Sequence, residues 1–109
     1  MKENYKKFLE KDAYEVHEAP NGQDAMKKLD EVQPDLVILD IIMPGMTGLE
    51  VCEKMRQKPE FAKTPVIVVS SLDKTAIEED ALQVGANEYF QKPFSTKAIR
   101  EMVKKYLGD

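Results

Sequence analysis

Three residues of complementary chemistry stand where short apolar runs stop: a carboxylate at Asp40, a hydroxyl at Ser70 and an ammonium at Lys92. Asp40 follows Leu36-Val37-Ile38-Leu39, and Ser70 follows Val66-Ile67-Val68-Val69. Lys92 follows Glu88-Tyr89-Phe90-Gln91 and precedes Pro93. Taken alone, Asp40 reads as well as a bland residue, solvated in a loop or capping a helix, as it does as a functional carboxylate. Together, the three would bring a carboxylate beside two groups able to donate to negative charge. That convergence needs a scaffold that puts three strand ends on one edge.

The pattern supplies such a scaffold. The runs at 36–39 and 66–69 are short, branched and unbroken, the signature of strands buried on both faces of a parallel sheet. Asp is a poor strand former, so Asp40 marks a strand end, and Pro44, Gly45 and Gly48 then carry the chain into a helix. Tyr14–Ala19 alternates and reads as a strand near a sheet edge, and Glu88–Gln91 as a short last strand. Helical stripes occur at Tyr5, Phe8 and Leu9, at Ala25, Met26, Leu29 and Val32, and at Leu49, Val51, Cys52 and Met55. They recur over Lys74–Val84 and at Ala98, Ile99, Met102, Val103, Tyr106 and Leu107. Thr47 and Ser95 are placed to cap helices, and Gly85 to end one. Strands alternating with helices imply parallel pairing with right-handed crossovers, an α/β doubly wound sheet. In open sheets of this kind ligands bind at the carboxyl edge of the strands.

The bulk numbers narrow the function. The chain has 109 residues, one domain's worth, with net charge −4 and no basic run that would suggest nucleic acid. No apolar stretch is long enough for a membrane span, and the polar start is unlike a signal peptide. A single cysteine, Cys52, forms no internal disulfide and points to the cytoplasm. On its apolar stripe Cys52 reads as core rather than as a reactive thiol. His17, the one histidine, reads as a half-exposed strand residue without a nucleophile or metal partner in its motif. No P-loop or Gly-rich phosphate loop opens a helix, so an enzyme on a flavodoxin-like sheet is disfavoured.

Three segments together resemble the receiver domains of bacterial two-component response regulators, the chemotaxis regulators among them. They are Asp35–Glu50 (DLVILDIIMPGMTGLE), Thr64–Ser71 (TPVIVVSS) and Gly85–Phe94 (GANEYFQKPF), and their spacing matches as well. The resemblance implies a flavodoxin-like receiver fold over residues 1–109 as a single domain. It implies that Asp40 accepts a phosphoryl group from a histidine kinase or phosphotransfer protein, with Ser70 and Lys92 bonding the phosphoryl oxygens. It makes Ser70 and Tyr89 the switch pair, and residues 73–94 the surface read by a downstream protein. It assigns Mg²⁺ to Asp40 and the backbone carbonyl of Ile42, and a cis peptide before Pro93.

The resemblance has one departure. Receivers begin with an apolar strand ending in two acidic residues, which lies in the sheet beside the Asp40 strand. No such strand precedes Tyr5 here, so four strands are expected from this chain and the family's first is missing, as in an N-terminally truncated receiver. The absent acids are the side-chain Mg²⁺ ligands, so metal affinity should be weakened or lost. The Asp40 strand also loses a neighbour, which exposes an edge and favours self-association. Either strand 14–18 moves across to pair with 36–39, or a partner chain closes the gap, or the natural protein is longer. A phosphorylation-independent pseudo-receiver, acting as a protein-interaction module, is the competing function.

Overall fold

In the computed structural model, residues 9–12, 14–42 and 45–108 are described. Most of the helix expected over residues 2–11 lies outside them, Tyr5 and Phe8 included. Residues 9–11 are helical, and Leu9 is buried.

The helix α1 (Gly22–Val32) starts at Asn21, whose side chain accepts from the Asp24 N–H, and ends at Gln33 in the left-handed region with φ 52°. β1 (Val37–Asp40) leads to α2 (Gly48–Gln57), which opens on a capping box between Thr47 and Glu50. A 3₁₀ turn at Pro59–Phe61 precedes β2 (Val66–Ser70). α3 (Lys74–Gln83), β3 (Glu88–Gln91) and α4 (Thr96–Leu107), capped by Ser95, complete the order.

The sheet is parallel with order β1-β2-β3. Period-two alternation sorts its side chains onto two layers. Val37, Leu39, Val66, Val68 and Tyr89 face one cluster with Leu29, Val51, Cys52, Met55 and Ala81, which places α1, α2 and α3 on that side. Leu36, Ile38, Ile67, Val69 and Phe90 face the other, with Leu9, Ile99 and Val103. All five β2 residues are buried, as a central parallel strand requires.

The sheet has three strands among the described residues, where four were expected. Tyr14–Ala19 is not part of it. Its alternation is real: Tyr14 and Val16 pack into the cluster that holds Leu36 and Ile38, while Glu15 and His17 are exposed. Alternation reports which way side chains face, and a segment can satisfy it without a neighbour at hydrogen-bonding distance. Nor does the segment cross over to pair with β1. Val37 and Ile41 donate to Pro65 and Val69, so β1 pairs with β2 through its odd-numbered residues, and the main-chain groups of Ile38 and Asp40 point to the other edge.

The end of the sheet opposite Asp40 is fastened by one guanidinium. Arg56 donates to the carbonyls of Phe61 (2.7 Å), Thr64 (2.7 Å) and Gly85 (3.0 and 2.8 Å), and to the Asn87 Oδ1 (3.1 Å). The same Asn87 oxygen accepts from the Val66 N–H at 2.9 Å.

Candidate functional site at the carboxyl edge of the sheet

Asp40 and Ser70 are the last residues of β1 and β2, and Lys92 directly follows β3. Parallel pairing therefore puts all three on one edge. Lys92 Nζ donates to Asp40 Oδ2 at 2.7 Å, and Asp40 Oδ1 accepts from the Ile42 N–H at 3.1 Å. The carboxylate is thus oriented by a charge-assisted bond on one oxygen and an Asx-type turn on the other. The Lys92 main chain is fixed too: its N–H donates to the Ser70 carbonyl at 2.7 Å, and the Lys92–Pro93 peptide is cis.

Glycine makes room behind Asp40. The Gly48 N–H donates to the Ile41 carbonyl at 3.0 Å, and a Cβ at Gly48 would fall against the Asp40 carbonyl oxygen. α2 can therefore begin directly over the strand end. The sequence marks this glycine only as the second one after Pro44; its contact partner is a backbone atom.

Ser70 is 1% exposed, and its Oγ accepts from the Leu72 N–H at 3.2 Å. Tyr89, also buried, donates its hydroxyl to the Leu72 carbonyl at 2.6 Å and lies 3.4 Å from the Ser70 carbonyl. Burial pushes the Tyr89 phenol above its ordinary range, and the charges of Asp73 and Asp40 add to the rise. The segment after β2 is thus held by β3 at several points. Gln91 supplies one the sequence does not announce: its Oε1 accepts from the Lys74 N–H at 3.1 Å.

Ile42 is 66% exposed beside Asp40. Among the described residues, no three His, Cys, Asp or Glu side chains cluster so as to hold a metal. Asp40 is a single carboxylate already engaged by Lys92, so the described residues fall short of a Mg²⁺ site. His17 and Cys52 lie elsewhere. His17 Nε2 is 2.8 Å from Glu15 Oε1 on the surface. The Cys52 thiol is buried, donates to the Val84 carbonyl at 3.5 Å, and is pushed up by burial. Among the described residues, no helix is long and apolar enough to cross a membrane.

The family model described as "Response regulator receiver domain" matches residues 1–104. The chain belongs to this family. Among solved structures, the receiver is similar to the signal receiver domain of a signal transduction histidine kinase from Syntrophus aciditrophicus, with 30% identity and TM-score 0.85 over 94% of this chain and 77% of that one. It is similar to the chemotaxis response regulator CheY4 of Vibrio cholerae, with 26% identity and TM-score 0.87 over 94% and 86%. The receiver domain of the sensor histidine kinase PA1611 from Pseudomonas aeruginosa, which has a magnesium ion coordinated in its active-site cleft, shares the fold at 21% identity and TM-score 0.84 over 95% and 85%. The flavodoxin-like receiver fold is therefore shared, and the chain is a receiver domain of the two-component signalling class.

Proposed function

We propose that this receiver takes a phosphoryl group onto Asp40 from a histidine kinase or phosphotransfer protein. The 2.7 Å Lys92–Asp40 contact at the strand edge carries the reading. An Asp40 carboxylate oxygen attacks phosphorus as the bond from phosphorus to the donor's nitrogen breaks, leaving an acyl phosphate. Phosphoryl transfer asks the protein mainly for position and for charge on the equatorial oxygens. Lys92 moves its ammonium from the carboxylate to a phosphoryl oxygen, and Ser70 donates its hydroxyl to another. The group adds about 1.5–2 negative charges at neutral pH. When Ser70 Oγ turns to it, the Leu72 N–H loses its acceptor, and the loop that Tyr89 holds is free to shift. Residues 73–94, which include α3 and β3, are the surface a downstream protein would read.

Mg²⁺ would contribute positive charge through Asp40 and the Ile42 carbonyl. Among the described residues Asp40 is the one carboxylate that would hold it, so its binding is weak, and no step above depends on it. That shortage favours the second reading, a pseudo-receiver whose surface binds a partner regardless of phosphorylation. Among the described residues no strand pairs with the other edge of β1, and self-association through that edge would be read as an elution volume that falls with concentration. We assign residues 1–109 to one receiver domain acting in the cytoplasm.

The deciding experiment is intact mass after incubation with acetyl phosphate and Mg²⁺. The acceptor reading expects one phosphoryl adduct on the wild type and none on Asp40→Asn. No adduct on either, with partner binding indifferent to Asp40→Asn, would replace it with the pseudo-receiver.

A further inference from the structure

The first N–H groups of α3 donate to two side chains. Asp73, the residue before the helix, accepts from the Thr75 N–H at 2.9 Å and the Thr75 hydroxyl at 2.8 Å. The Lys74 N–H, one of the donors a helix start leaves without an intrahelical partner, goes instead to Gln91 Oε1, 17 residues away on β3. Gln91 pairs in register with Ser70 and is followed directly by Lys92. It shares a face of β3 with Tyr89, the face α3 packs on. The segment from Ser70 to Lys74 is therefore tied to β3 at three alternate residues. The Lys92 N–H donates to the Ser70 carbonyl, the Tyr89 hydroxyl to the Leu72 carbonyl, and the Lys74 N–H to Gln91.

We infer that Gln91 is a positioning residue that links the Lys92 end of β3 to the first turn of α3, so that a displacement of Lys92 reaches that helix through the Gln91 side chain. The tie at Ser70 ends on β2 and the one at Leu72 in the loop, whereas the Gln91 tie ends on the helix itself. Residue 91 needs an acceptor long enough to reach across from the strand, which Gln supplies and an apolar residue of equal length does not. The inference deepens the acceptor reading by naming one route from the site to residues 73–83. The link exists in the unmodified chain, so it is testable without a phosphoryl group.

The test is residue-resolved amide hydrogen exchange on the full chain. Gln91→Met keeps the length and removes the acceptor; Gln91→Glu keeps the acceptor. Gln91 is exposed, so neither should disturb folding, and unchanged protection at Val68 checks this. Gln91→Met should speed Lys74 exchange roughly three- to tenfold, the effect of losing one ordinary hydrogen bond, and Gln91→Glu should restore it. Lys92→Ala should change Lys74 exchange in the wild-type background and leave it unchanged in the Gln91→Met background. That non-additivity is what a merely structural side chain would not produce. Lys74 exchange indifferent to Gln91→Met, or a Lys92→Ala effect of the same size in both backgrounds, overturns the inference. A wild type that takes no phosphoryl adduct would sink the acceptor reading alone, since the Lys74 result stands apart from it.

Discussion

Lys92 Nζ meets Asp40 Oδ2 at 2.7 Å across 52 residues of sequence, and the pair is only partly shielded: the side chains are 19% and 37% exposed. Partly solvated pairs contribute little to stability, typically below about 1 kcal/mol. Lys92→Ala should therefore leave the midpoint of urea unfolding nearly unchanged while removing any phosphorylation-dependent change in partner affinity. A phospho-dependent affinity that survives Lys92→Ala would remove the role proposed for this ammonium.

Gly48→Ala should behave in the opposite way. The new methyl has no room beside the Asp40 carbonyl oxygen, so either the start of α2 or the end of β1 must move. A loss of about 1–3 kcal/mol is expected from such overpacking, together with slower modification of Asp40. Chemical denaturation and the rate of adduct formation measure the two effects. A fully stable, normally reactive Gly48→Ala would mean that the helix start is not confined by the strand end.

Arg56→Lys should be among the most destabilising conservative changes in the chain. Lysine cannot present a planar fork to the carbonyls of Phe61, Thr64 and Gly85 at once, and each acceptor that loses its donor carries a desolvation cost. A loss of about 2–3 kcal/mol, the scale of hydrogen bonds to charged donors, is expected in urea unfolding, with Asp40 reactivity retained in the folded fraction.

At the alkaline end, Tyr106 donates to Glu88 at 2.6 Å, and burial with that bond pushes its phenol up to about 12. A raised folded-state value means that the folded chain holds its proton longer than the unfolded one. The contribution is complete below the ordinary tyrosine value near 10 and is lost as pH rises from there towards 12. Thermal melts should fall across that window, and Tyr106→Phe should flatten the fall. At the acid end the sign reverses. The bidentate bond from Arg100 holds Asp12 below the usual carboxylate range, so its contribution is present above about pH 4 and fades as pH drops below it. Asp12→Asn should lessen the acid dependence of the melting temperature, and an unchanged slope would show the pair to be without consequence for folding.

That Asp40, Ser70 and Lys92 share one edge of the sheet was legible because strand ends punctuate the hydrophobic pattern. An unbroken apolar run followed by Asp, Ser or Lys needs no partner to be recognised. The caps Thr47 and Ser95 were legible for the same local reason, since capping bonds span three residues. The pairing of residues 14–18 was not, because an alternating segment shows which side is inward and says nothing about what lies alongside it. Gln91 and Arg56 were not legible either. Apart from Asn87 Oδ1, their partners are main-chain groups at Lys74, Phe61, Thr64 and Gly85, and every residue has such groups, so no letter in the sequence marks the ones that will be met.

Arg56 and Asn87 gather their bonds at the end of the sheet where β2 begins, whereas Asp40, Ser70 and Lys92 lie where it finishes. The Arg56 contacts and the three edge residues therefore occupy opposite poles of the sheet. Substitutions in the loops around the proposed acceptor Asp40 break none of the Arg56 contacts, so what that end binds can change without loosening the end where the sheet begins.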